Sequence, residues 1–466
     1  MVEELHFHAH GYGETVAFPN RKKSNVYRLP DRTKYLREDM PRADNFEPET
    51  IQLFREAYRS MQIPGIEREQ TLKDDHLLDM IIVTVIASCQ NVKVLRLDVD
   101  FLHQNTFLPK ALGHLLNTDS GSMPTTHGAF TKLTSVQLDP TNVIWNSNGK
   151  DRIEYPLTSY LPFFYLPSLE TFSAPLSDRR DIHKKRASDQ SPRKWPASPP
   201  PVFTLRTLKL CRTLADPVTL TFLLAQTPYL ESLTYDFHRN GTMLFDCVQL
   251  RCALHSVAAT LRSLTISYEV FATEAYEYTD MSEYLVNHQG LGSLHFLSHL
   301  TNLEIALPIL LGWKDTAGLR LAAALPASLD TFCLRDDCMD YMNNVWWEEV
   351  TIEEVRHWME QKSTTPGSCT PHLQRFGFRM CESEGEQWNK HHHQILMDIC
   401  KAAGVQWWSE RQRDLDGGWD DVDHPERAQD KIMGWAGYVY PEGEMGSRVK
   451  RALQDSVETE TFSEDS

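Results

Sequence analysis

One short pattern runs along most of this chain: an apolar residue, two variable residues, an apolar residue, one variable residue, an apolar residue. It first occurs as Val2-x-x-Leu5-x-Phe7, then as Val92-x-x-Leu95-x-Leu97 and Leu133-x-x-Val136-x-Leu138. It resumes at Leu169, Leu205, Leu230, Leu261, Leu300, Leu329 and Leu373, each with its second and third apolar positions filled. The last two apolar positions are two residues apart, the period of a strand with one buried face, and the residue between them is mostly polar. One such match carries no information, whereas ten along one chain define an internal repeat.

Helix-length apolar segments precede several copies. Asp74-Asp75 stands before the run from Leu77 to Ile82, with acids suited to a helix N-terminus, and Cys89-Gln90-Asn91 turns the chain into the Val92 strand. Asp216-Pro217 opens Val218 to Ala225, with proline at a first-turn position, and Thr227-Pro228 ends it before Leu230. Leu250 to Ala259 precedes Leu261, and Leu319 to Ala324 precedes Leu329 with Pro326 as the stop. Helix, turn and strand in repetition predict an α/β solenoid: a parallel sheet on the concave side, helices on the other, with long irregular repeats.

These phrases, such as Thr227-Pro-Tyr-Leu-Glu-Ser-Leu-Thr-Tyr235 and Leu325-Pro-Ala-Ser-Leu-Asp-Thr-Phe-Cys-Leu334, resemble the degenerate repeats of fungal F-box/leucine-rich-repeat proteins. The resemblance covers residues 2 to about 410. It departs from that family in three ways. From the second strand on, repeats are 25 to 44 residues apart, against roughly 20–29 for regular leucine-rich repeats. The Asn or Cys that ladders the turns is mostly missing. No F-box is visible, because the chain begins on a repeat strand; the expectation is that an adaptor-binding segment was lost or never present.

A single solenoid is therefore expected over residues 1–454, with a disordered acidic tail at 455–466. Residues 14–70 hold many turn formers and read as an excursion that caps the first strand. Within it a helix is predicted from Pro48 to about Met61, close to that strand and burying Ile51, Leu53, Phe54 and Ala57. Residues 178–201 join a basic cluster (Arg179, Arg180, Lys184, Lys185, Arg186, Arg193, Lys194) to a Ser/Pro-rich stretch and read as a mobile insertion. Residues 312–454 are Trp-rich, with nine of the eleven tryptophans beyond residue 312. There Trp347, Thr351, Val355 and Trp358 share a helix face, expected to close the end of the array.

Composition narrows the function. The formal net charge of −17 lacks the clustered basic surface a nucleic-acid binder needs. The longest apolar runs, Met80–Cys89 and Ile305–Trp313, are about half the ~20 residues of a membrane helix. Nine cysteines form no C-x-x-C pair and read as reduced, buried thiols. The expected compartment is reducing, cytoplasmic or nuclear.

Motifs for chemistry are scarce. There is no P-loop, G-x-S-x-G or H-E-x-x-H, and Gly11-Tyr12-Gly13 lacks the third glycine of a dinucleotide fingerprint. His391, His392 and His393 are consecutive in a helical run, so they diverge and cannot chelate one ion together. The acidic loop from Asp414 fails as a calcium loop, with Gly418 at its fifth position and Pro425 where the bidentate Glu belongs. His6 and His8 alternate on the first strand, which supports one rival reading: a metal-dependent hydrolase on an α/β barrel using both.

The leading expectation is a non-enzymatic protein–protein interaction scaffold without catalytic residues, metal or cofactor. Its partner would be a protein, neither nucleic acid nor membrane. The binding face should carry the residues between the second and third apolar positions: His6, Arg96, Gln137, Lys209, Thr234, Thr265, Glu304, Cys333 and Gly377. The family resemblance implies a substrate-recognition module working with ubiquitin-ligase machinery.

Overall fold

Among the described residues eleven strands, all parallel, line up in chain order in one open sheet. They are β1 (Glu4–Phe7), β2 (Val94–Asp98), β3 (Ser135–Asp139), β4 (Thr171–Ser173), β5 (Thr207–Thr213) and β6 (Ser232–Asn240), followed by β7 (Ser263–Phe271), β8 (Asn302–Ala306), β9 (Thr331–Arg335), β10 (Arg375–Cys381) and β11 (Gln406–Gln412). This is a computed structural model describing residues 4–7, 48–60, 77–89, 91–98, 130–139, 157–176, 195, 199–200, 204–240, 245–271, 289–313, 319–337, 346, 348–364, 369–381 and 388–412.

The repeat register is the one the pattern predicts. Leu95, Val136, Phe172, Leu208, Leu233, Leu264, Leu303, Phe332 and Phe376 pair strand to strand, each at most 2% exposed. Two residues later, Leu97, Leu138, Leu210, Tyr235, Ile266, Ile305, Leu334 and Phe378 are buried alongside them. Helices pack on this face: Trp358 of the helix Glu348–Thr364 meets Phe332 and Phe376 edge-on, at 5.5 and 5.9 Å between ring centres. The residues between these positions therefore point the other way, onto the polar face.

The repeats are stitched at the strand entrance. The carbonyl of Glu170 accepts two backbone N–H groups of the next repeat, those of Arg206 and Thr207. The carbonyls of Arg206, Glu231, Arg262, Thr301 and Asp330 each repeat this double acceptance. Hydroxyls add side-chain bonds between repeats at the same place. Thr204 donates to the Leu169 carbonyl at 2.7 Å, and Thr260 and Ser328 donate to those of Leu230 and Leu300 at 2.8 Å each. Each lies just before its repeat's first leucine.

Asp216 caps the helix Pro217–Leu224 by accepting from Thr219 N–H, as its sequence signature predicts. The helix before β7 is Cys247–His255, three residues earlier than the apolar run suggests, because Asp246 takes the N-cap. Of the apolar run Leu319 to Ala324, Leu321–Ala324 is helical, and Glu354 from the Glu348–Thr364 helix accepts its Leu321 N–H. The helix Leu77–Ser88 forms as expected; Asp74 and Asp75 lie outside the described residues.

Four expectations need correction or limits. The helix Pro48–Ser60 forms, packs beside the Leu77–Ser88 helix and buries Ile51, but Leu53 is 67% exposed. Two residues along a helix turn the side chain roughly 200°, so Ile51 and Leu53 cannot share a face. The sheet is open from β1 to β11, so the barrel required by the metal-hydrolase reading is not the fold. Trp195, inside the segment read as an insertion, is buried and stacks on Phe222 at 4.8 Å, which anchors the chain there. The rest of 178–201, apart from Pro199 and Pro200, and the whole 413–466 stretch lie outside the described residues.

Strand β11 escaped the pattern. Its register sets Trp407 opposite Phe376, so Gly404 and Ser409 occupy the first and third apolar positions. Gly404 is at φ 69°, ending the helix Lys390–Ala402, and Val405 N–H reaches back to the Cys400 carbonyl. A helix terminus there demands glycine where the repeat would have leucine.

Candidate functional site

The nine predicted residues fall on one line across the sheet. Strand pairing places His6 beside Arg96, Arg96 beside Gln137, Lys209 beside Thr234, and so on through Thr265, Glu304, Cys333 and Gly377. Two members were missing from the prediction: Ser173 completes the line between Gln137 and Lys209, and Trp408 ends it beside Gly377. A second line, two residues earlier on the same face, is small and hydroxyl- or amide-bearing through seven strands: Ser135, Thr171, Thr207, Ser232, Ser263, Asn302 and Thr331. All seven are half-buried.

The line is not uniform along its length. Arg96, Gln137, Thr234 and Thr265 are half-buried, and Lys209 is exposed. The side chain of His6, and His8 altogether, lie outside the described residues. At the β8–β11 end the side chains are engaged by the fold itself. Glu304 accepts from Arg335 Nη1 at 2.5 Å and pairs with Arg379 Nη1 at 3.2 Å. Arg335 Nε donates to Asp337 Oδ2 at 2.7 Å, and Arg379 Nη2 donates to Glu410 at 3.1 Å. Asp337 also accepts the Tyr268 N–H at 3.0 Å, on a part of β7 that runs on past its pairing with the shorter β8.

Cys333 sits among these charges and is buried. Loss of solvation pushes its thiol well up, and the Glu304 carboxylate adds to that, while Arg379 and Arg335 oppose it. A thiol held protonated is a poor nucleophile. Gly377 is buried as well, with the Trp408 indole lying where a β-carbon would be. Glu304, Cys333 and Gly377 are therefore held by packing and ion pairs within this end of the sheet.

Near the middle, β5 carries a bulge. Leu210 pairs with Tyr235 and Thr213 with Phe237, so Cys211 and Arg212 together oppose Asp236. Arg212 is at φ 48°, a left-handed conformation that costs a non-glycine residue about 1–2 kcal/mol. Its N–H donates to Asp236 Oδ2 at 2.9 Å, and the Ser267 hydroxyl donates to Oδ1 at 2.7 Å.

No family model and no curated protein matches this chain. Function must be argued from the face itself.

Among the described residues there is no cluster of His, Cys, Asp and Glu able to hold a metal ion, and no helix long and apolar enough to cross a membrane. Of the consecutive histidines, His391 is exposed, while His393 turns inward against Phe378 and Trp407. Thr351, Val355 and Trp358 are fully buried, so this part of the Trp-rich region is core. The hydroxyl line was legible: the residue before the second apolar position is Ser, Thr or Asn in seven successive repeats, from Ser135 to Thr331.

Proposed function

We propose that the protein is a non-enzymatic interaction scaffold whose polar sheet face binds a protein partner. The observation that supports it most is the register. Side chains from repeats as far apart as Arg96 and Thr265 stand in one continuous line on the face turned away from the helices. Strands are spaced about 4.8 Å apart, so this line is a ruler along which an extended ligand meets a new side chain at each step. Rigid parallel strands hold these side chains without prior ordering, which spares part of the entropy cost of binding.

The resemblance to F-box/leucine-rich-repeat proteins extends the reading to a substrate-recognition module that works with ubiquitin-ligase machinery, in the cytoplasm or nucleus. The free thiols among the described cysteines agree with a reducing compartment.

The test is quantitative affinity capture from the native cell with three versions of the full chain. One is the parent, one carries Gln137→Arg, Thr234→Arg and Thr265→Arg, and one carries Val218→Arg, Val248→Arg and Met397→Arg at exposed helix-side positions. The polar-face variant should lose the proteins the parent enriches, and the helix-side variant should keep them. Equal recovery by all three, or loss confined to the helix-side variant, would defeat the proposal.

A further inference from the structure

Strand β5 differs from every other strand of the polar face. Lys209 is the exposed member of a line otherwise half-buried or buried among the residues whose side chains are described. Three residues later, Arg212 sits in the left-handed bulge. Neither the Lys209 ammonium nor the Arg212 guanidinium forms an ion pair among the described residues. This contrasts with Arg335 and Arg379, whose guanidinium groups are both matched by carboxylates. The nearest acid on the neighbouring strand, Asp236, accepts hydrogen bonds from a backbone N–H and a hydroxyl.

We infer that the β5 bulge is an anion-recognition point, where a carboxylate-bearing segment of the protein partner seats on Lys209 and Arg212. The inference rests on the proposed scaffold reading and names the chemistry of its partner. Two observations carry it independently: unmatched cations on a face whose other described arginines at the β9–β10 end are matched, and a bulge with a strained non-glycine residue at the same place. Bulges re-aim side chains and concentrate at functional positions. Hydroxyls flank the point, with Thr171 and Ser173 of β4 on one side and Ser232 and Thr234 of β6 on the other, all able to donate to a carboxylate.

The acidic balance of the whole chain, −17, is the argument against an acidic ligand. Screening decides it. At physiological ionic strength the Debye length is about 8 Å, so the charges nearest the bulge dominate, and there the two cations outnumber the one carboxylate opposite them, Asp236.

The experiment uses the full chain and a fluorescein-labelled deca-glutamate peptide, read by fluorescence anisotropy in 0.15 M salt, with deca-lysine as the counter-probe. Lys209→Glu and Arg212→Gly are combined in one variant; glycine keeps the left-handed bulge, so the fold is preserved while the guanidinium is removed. A second variant replaces Arg179, Arg180, Lys184, Lys185 and Arg186 with Ala. The β5 variant should bind deca-glutamate about tenfold more weakly, with its melting temperature close to the parent's. The basic-segment variant should bind like the parent. Absence of parent binding, unchanged affinity in the β5 variant, loss of binding in the basic-segment variant, or equal binding of deca-lysine would each overturn the inference. If capture still depends on the polar face while these measurements fail, only the partner's charge is wrong and the scaffold reading stands.

Discussion

The Trp408 indole of β11 packs so tightly on Gly377 of β10 that a β-carbon there would stand 2.1 Å from its Cε2, 2.2 Å from Cζ2 and 2.6 Å from Nε1. The two residues are register partners, and the glycine makes room for the ring to fold back across the last strand pair. Gly377→Ala should force the indole out or push β11 away, at about 1–3 kcal/mol, the usual cost of overpacking. Urea denaturation followed by tryptophan emission checks this. A parent-like midpoint would show that the ring stands elsewhere.

Leu233 and Leu264 are each 1% exposed and pair across β6 and β7, while Thr234 between them in pattern lies on the opposite face. Leu233→Ala or Leu264→Ala should cost about 2–5 kcal/mol through lost burial and a residual cavity. Thr234→Ala should change stability by less than about 0.5 kcal/mol. Chemical denaturation of the three variants measures the contrast, and similar midpoints would contradict the face assignment.

Periodicity made the sheet legible because every repeat repays the same burial: Leu205, Leu208 and Leu210 are all buried, as are their counterparts from β3 to β10. What the pattern could not show is where local demands overrule it. Gly404 ends a helix and erases the signature of β11. Leu53 looked apolar enough for a core face that helix geometry denies it. Trp195 packs into the core from a stretch whose composition is basic and Ser/Pro-rich. Of the candidate site, the line of residues was readable from the spacing. Their engagement was not, since the Arg335 and Arg379 that pair with Glu304, and the Glu410 that holds Arg379, lie in other repeats, at distances no sequence pattern encodes.

The buried thiols predict a response to alkali. Burial pushes Cys400 up to about 12 and raises Cys247 and Cys333 further. The folded protein then holds protons that the unfolded chain releases above the ordinary thiol value near 9. The stabilisation is complete below that value and is lost as pH rises toward 12. Between pH 8 and 10.5 the urea midpoint should fall more steeply for the parent than for Cys400→Ala. Under native conditions at pH 8, iodoacetamide should modify exposed Cys252 before Cys247, Cys333 and Cys400, which are labelled only after unfolding. Peptide mass mapping reads the order; early labelling of Cys333 would mean its site opens.

Arg335 is the hub of the C-terminal charges, with only 4% of its side chain exposed and two carboxylates bound, Glu304 through Nη1 and Asp337 through Nε. Its value lies less in attraction than in what its loss leaves behind. Arg335→Met keeps much of the volume but takes the guanidinium from Asp337, itself 2% exposed, and from Glu304, which keeps Arg379. Removing one partner of a buried pair costs about 3–5 kcal/mol. Arg335→Lys retains the charge yet loses the fork that serves two carboxylates in different directions, so it should recover only part of that loss. The triple change Arg335→Met, Glu304→Leu and Asp337→Asn removes both carboxylates that Arg335 served and keeps an amide oxygen for the Tyr268 N–H; it should be more stable than Arg335→Met. Urea midpoints of the three variants test the order: triple change and Arg335→Lys above Arg335→Met, all measured against the parent. If Arg335→Met alone matches the parent, the network is a surface feature and β7 and β9 are joined by something other than Asp337.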